Sequence, residues 1–102
     1  MTYAYVMDVP QPIEFYDAVH AAVDRRSGGR ADGMLLHLGR ATDTGFQVVE
    51  IWETKEQCDR YSAEVVEPAV AEAAGGQLPP QEPVRQEFEP RGLIIRSAQV
   101  AI

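Results

Sequence analysis

Two side chains in this sequence have the chemistry to move a proton as a pair: His37 and Glu50. An imidazole changes charge near neutral pH, and a carboxylate beside it fixes its tautomer and favours its charged form. The two are far apart along the chain, so their meeting depends on the elements around them. Residues 33–40 and 46–53 read as strands, and Thr42-Asp43-Thr44-Gly45 between them carries turn chemistry. A four-residue loop at 42–45 pairs Ala41 with Phe46, Gly39 with Val48, His37 with Glu50, and Leu35 with Trp52. Because cross-strand partners share a face, two surfaces follow. One holds Met34, Leu36, Leu38, Val49 and Ile51; it is purely aliphatic and is expected to pack under helices. The other holds Leu35, His37, Phe46, Val48, Glu50 and Trp52. Apolar around a single His–Glu pair, it suits the wall of a small-molecule cavity.

The remaining chain supplies elements to build around that hairpin. Residues 3–8 are β-prone and are stopped by Pro10 and Pro12. A helix is predicted from Pro12 or Ile13, with Ile13, Tyr16, Val19 and Val23 on its apolar stripe and Ser27-Gly28-Gly29 ending it. Thr54 followed by Gln57 matches a capping box and opens a second helix. Its buried stripe is Cys58, Tyr61, Val65 and Ala69, and Pro68 should kink or break it, leaving a short piece to Ala74. After a proline-rich connector at 78–83, the alternation Val84, Gln86, Phe88 predicts a fourth strand. Residues 90–102 form a C-terminal extension whose apolar Leu93-Ile94-Ile95 is expected to cover a sheet edge, of its own subunit or of a partner. Strand, helix, strand, strand, helix, strand is the α+β ferredoxin-like plait with an antiparallel sheet, here one domain spanning 1–102.

Composition narrows the partners. The net charge is −7, from sixteen acids against nine bases, and only Arg25 and Arg26 stand together. Nucleic acid and anionic membranes are therefore not expected partners. The first residues carry no basic segment ahead of a long apolar run, so no signal peptide is expected. A single cysteine, Cys58, fits a reducing, cytoplasmic setting and reads as a small buried hydrophobe. With two histidines and one cysteine there is no metal-binding signature, and no phosphate-binding glycine loop or nucleophile elbow is present.

The run Val48-Val49-Glu50-Ile51-Trp52-Glu53-Thr54-Lys55-Glu56-Gln57, with Gly33-Met34-Leu35-Leu36-His37 upstream, resembles the dimeric α/β-barrel proteins that include the antibiotic biosynthesis monooxygenases. The resemblance implies a homodimer in which two plaits pack sheet to sheet, each subunit enclosing a cavity. It also implies cofactor-independent monooxygenase-like action on an aromatic or polyketide-like small molecule. The family's motif Trp corresponds to Trp52. Its Asn four residues earlier is Val48 here, and its Tyr six residues later is Cys58. The axial His of the haem-degrading relatives falls on Ala71, and their second Trp on Tyr61, so no haem is expected.

Within this frame His37 is the candidate base and Glu50 its orienting partner. The competing reading is a solvated polar pair at a barrel mouth. Trp52, Tyr61, Tyr5, Val48 and Phe46 are the candidate substrate-binding residues, with Trp52 serving equally well as plain core. His20 reads as a surface residue. Two other functions fit the same cavity: a non-catalytic ligand-binding or stress-related module, and a cofactor-free isomerase or cyclase.

Overall fold

In the computed structural model, which describes residues 2–76, 83–98 and 100–101, four strands form one antiparallel sheet in the order β2-β3-β1-β4. β1 is Tyr3–Val9, β2 Met34–Thr42, β3 Gly45–Trp52 and β4 Val84–Phe88. The helix α1, Ile13–Ser27, links β1 to β2, and a helical arm links β3 to β4. This is the ferredoxin-like order read from the sequence. The proline-rich connector lies, apart from Pro83, outside the described residues, as does Ile102.

Local chemistry sets each element's ends. Pro12 caps α1 in extended geometry, and Gly28 at its other end takes the left-handed φ of 66° that terminates helices. Thr54 accepts the Gln57 backbone N–H at 3.2 Å and opens α2, Lys55–Tyr61. The arm does not break outright at Pro68. A π-helical segment, Ser62–Val66, widens the coil and hands over to α3, Glu67–Ala73, with Pro68 in its first turn. Pro68 has no N–H to give to the residue four positions back, and the wider turns just before it place that gap where the regular ladder is already interrupted. On the outer surface Glu72 of α3 meets Arg25 and Arg26 of α1.

The hairpin keeps the expected pairing His37↔Glu50, Gly39↔Val48 and Ala41↔Phe46, around a tighter turn in which Thr42 pairs with Gly45. At its far end the register slips at a bulge next to Leu35. Met34, not Leu35, therefore lies opposite Trp52 and joins its face, while Leu35 packs with Leu36 and Ile51. A bulge carries one extra residue on one strand and so exchanges the faces beyond it.

The faces are correctly grouped but take opposite roles. The helices cover the mixed face: Phe46, Val48 and Trp52 are buried there with Tyr5 and Cys58. The aliphatic face is the one left without helices, and Leu38 on it is 51% exposed. Aliphatic character does not choose between a helix and a second sheet as cover; the side on which the crossover helix packs does. The C-terminal extension covers part of this open face instead of an edge. Leu93 packs on Ala4 and Ile51, with Ile95 beside it, and β5, Ile94–Ile95, pairs with β6, Val100–Ala101. Among the described residues, no helix is long and apolar enough to cross a membrane.

Candidate functional site

Between the sheet and α1 lies a cavity of about 420 Å³. Its walls are chiefly apolar. Phe15, Val19 and Val23 come from α1, Phe46 and Val48 from β3, and Val66 and Val70 from the arm. Tyr5, Tyr61, His37 and Glu50 also reach it. A pocket of this size, largely apolar with a few polar groups, is the usual form of a small-molecule site.

Glu50 anchors the polar part. It is 7% exposed, in the middle of the sheet, and receives three hydrogen bonds. Tyr5 Oη donates to Oε1 at 2.7 Å, and Trp52 Nε1 donates to the same oxygen at 2.9 Å. His37 Nδ1 donates to Oε2 at 2.7 Å. Burial works to raise the carboxyl's pKa, but the hydrogen bonds from His37, Tyr5 and Trp52 outweigh it and hold the group below the usual carboxylate range. Burial pushes the Tyr5 phenol far up, as do the charge of Glu50 and the hydrogen bond to it, so Tyr5 acts only as a neutral donor. An ionised Glu50 requires a proton on Nδ1 of His37. In a neutral imidazole the lone pair then sits on Nε2.

That nitrogen is met by a residue the sequence offered only as packing. Tyr16 Oη donates to His37 Nε2 at 2.7 Å, completing a chain Tyr16–His37–Glu50 along the cavity wall. The ring of Tyr16 meets Phe46 edge-on at 5.4 Å and stacks on His20 at 5.6 Å. His20 is exposed, as expected of a surface residue, yet its ring also borders the cavity. Burial, then Glu50 and Asp17, raise the Tyr16 phenol, so at rest it keeps its proton. Two signals in the sequence pointed here: a hydroxyl on an otherwise apolar helical stripe, and a glycine two residues after His37 on the same strand face.

The other candidates fall into two groups. Tyr5, Phe46, Val48 and Tyr61 lie on the cavity wall beside His37 and Glu50. Trp52 does not; it has no exposed surface and stands behind Glu50, packed on Tyr61 at 5.3 Å. It is placed to hold the carboxylate and not to stack on a ligand. Cys58 is fully buried, and burial raises its thiol pKa, which suits an unreactive core residue. Among the described residues, no group of three or more His, Cys, Asp or Glu side chains is arranged to hold a metal ion.

The α+β plait is shared with solved structures of antibiotic biosynthesis monooxygenases. One such enzyme aligns with a TM-score of 0.61 over 88% of this chain and 98% of its own, at 14% identity. SnoaB, a cofactor-independent oxygenase from Streptomyces nogalater, aligns at 0.57 over 88% and 91%, with 17% identity. Rv0793 from Mycobacterium tuberculosis aligns at 0.59 over 88% and 95%, with 14% identity. At these identities it is the fold that is shared. No protein-family model and no curated protein sequence matches the chain.

Proposed function

We propose that the chain is a cofactor-independent, monooxygenase-like enzyme acting on an aromatic or polyketide-like molecule held in the helix-side cavity. The observation that carries this reading is the hydrogen-bonded pair His37–Glu50 set in an apolar wall. An apolar body fits such walls, and the substrate's acidic enol or phenol proton would pass to the His37 side. In an anthrone the resulting carbanion forms a C–O bond with dioxygen. The O–O bond then breaks, a second C–H proton leaves, and the CH2 group becomes C=O with release of one water. His37 returns its proton to the departing oxygen, so the protein ends unchanged. Tyr5, Phe46, Val48 and Tyr61 shape the ligand site, and Trp52 holds Glu50.

Oxygen uptake with a panel of anthrones and quinols tests this. The expected result is uptake that depends on the protein and falls on the order of a hundredfold in His37→Ala, as for loss of a general base. A panel member that binds tightly and is recovered unchanged would favour the binding module. Rearrangement without oxygen consumption would favour the isomerase or cyclase.

The open sheet face supports the further reading of a homodimer closed sheet to sheet. Leu38, Val84 and Phe88 are exposed on it, 51%, 69% and 42% respectively, beside half-buried Val6 and Val49. Exposed apolar side chains on a sheet face without helices suit burial against a second copy. Arg40 donates to Gln47, which donates to Asp8, giving the patch a polar border across three strands. Light scattering at micromolar concentration should give a dimer, and Leu38→Asp should give a monomer. A monomeric mass for the unaltered protein would contradict the sheet-to-sheet dimer.

A further inference from the structure

Which atom of the proton-transfer chain meets the ligand is decided by hydrogen-bond capacity. Both nitrogens of His37 are engaged, Nδ1 by Glu50 and Nε2 by Tyr16. All the donors around Glu50 likewise point at its two oxygens, with Tyr5 and Trp52 sharing Oε1. Tyr16 is different. A hydroxyl offers one proton and two lone pairs, and its proton goes to His37. Among the described residues Oη has no second hydrogen-bond partner, and Tyr16 borders the cavity.

We propose that Tyr16, and not His37, is the catalytic residue in contact with the substrate, and that Gly39 is the residue that lets it stand there. The inference rests on the proton-removing role given above to the His37 side. In the step, a substrate hydroxyl (a phenol or an enol) gives its proton to the Tyr16 oxygen as Tyr16 gives its own to His37 Nε2. The substrate O–H bond breaks and a Tyr16 O–H bond forms; the old Tyr16 O–H bond breaks and an N–H bond forms. The negative charge ends on the substrate oxygen, and the positive charge on an imidazolium already paired with Glu50. Tyr16 carries no net charge before or after, so its raised pKa does not oppose the transfer. The substrate class that follows is an aromatic or conjugated molecule with an acidic hydroxyl.

Gly39 lies on β2 two residues past His37, on the face that meets α1. A Cβ there would overlap the outer ring atoms and hydroxyl of Tyr16. The glycine is not needed for a left-handed backbone, since its φ lies outside that region. Its missing side chain is the slot that admits the phenol to hydrogen-bond distance of His37. An alanine would leave the strand intact and push Oη away from Nε2.

The test uses 2-hydroxyanthraquinone, a dye that fits the class and changes colour on ionisation, together with oxygen uptake on an anthrone. Bound to the unaltered protein, the dye should ionise at a pH lower by about one unit or more, a tenfold or larger change in its ionisation constant. Tyr16→Phe keeps the ring and should abolish that shift, with little change in affinity for the neutral dye and about tenfold or more weaker binding of its anion. It should also slow turnover on the order of a hundredfold. Gly39→Ala should lose much of the same shift with the hydroxyl still present. The double variant should lose no more than Tyr16→Phe alone, since coupled residues are non-additive. Loss of the shift in His37→Ala but not in Tyr16→Phe would overturn the assignment, as would the absence of any shift in the unaltered protein. Full effects of Gly39→Ala and Tyr16→Phe that simply add would overturn the role of Gly39. A dye shift that depends on Tyr16 without oxygen uptake would leave this inference standing and remove the oxygenase reading.

Discussion

Glu50→Gln is expected to lower turnover by a hundredfold or more, on the order of the loss when a general base is disabled, while the protein stays folded. The amide is nearly the same shape as the carboxylate, so its carbonyl oxygen can still accept from Tyr5 and Trp52. Its NH2 group then faces His37 Nδ1, where a carboxylate oxygen stood. Two donors cannot share one hydrogen bond, so Nδ1 must become the acceptor and the imidazole proton must move to Nε2. That nitrogen then donates to Tyr16, and the whole chain points the wrong way. Steady-state kinetics should show the loss, and 15N shifts of His37 should show the exchanged tautomer. Unaltered turnover would reduce Glu50 to a packing residue. Loss of the fold would make it a structural one.

Trp52→Ala should act on stability. Removing a fully buried Trp leaves a cavity in the main core and costs about 3–5 kcal/mol. Since a domain of this kind is stable by only about 5–15 kcal/mol in total, denaturant midpoints should fall steeply. The substitution also removes one of the three donors on Glu50. Trp52→Phe separates the two effects: the ring largely fills the space, and the lost hydrogen bond to a charged group costs about 1.5–3 kcal/mol. If urea unfolding places Trp52→Ala within about 0.5 kcal/mol of the unaltered protein, as for an ordinary surface change, Trp52 does not anchor the core.

The sequence carried the element order and the hairpin register well, because turn chemistry and period-two alternation are local signals. The register survived a tighter turn than expected, since shortening the loop by one residue on each strand leaves Ala41 opposite Phe46. The bulge beside Leu35 was not legible. No glycine or proline stands within Met34–Leu36, and the adjacent Gly33 reads as the entry to the strand, so the bulge that exchanged Leu35 for Met34 on the cavity side had no marker of its own. Nor could the alternation of Leu36, Leu38, Val49 and Ile51 say which layer would cover them. The helices took the mixed face, bringing α1 onto His37 and Glu50. That placement made Tyr16 part of the site, through a contact between residues 21 positions apart on different elements. Trp52 read equally well as ligand wall or as plain core; its ring is enclosed, and its indole N–H turns toward Glu50. Buried polar groups seek partners, and here the partner was on the same strand two residues away.

The measurement that bears most directly on the central claim is anthrone oxidation under 18O2 with the purified, metal-free protein. One labelled oxygen atom in the newly formed carbonyl of each product molecule and one in released water is the expected result, at a rate proportional to protein and suppressed in Glu50→Gln. Carbonyl oxygen drawn from solvent, or a rate the protein does not change, would contradict it.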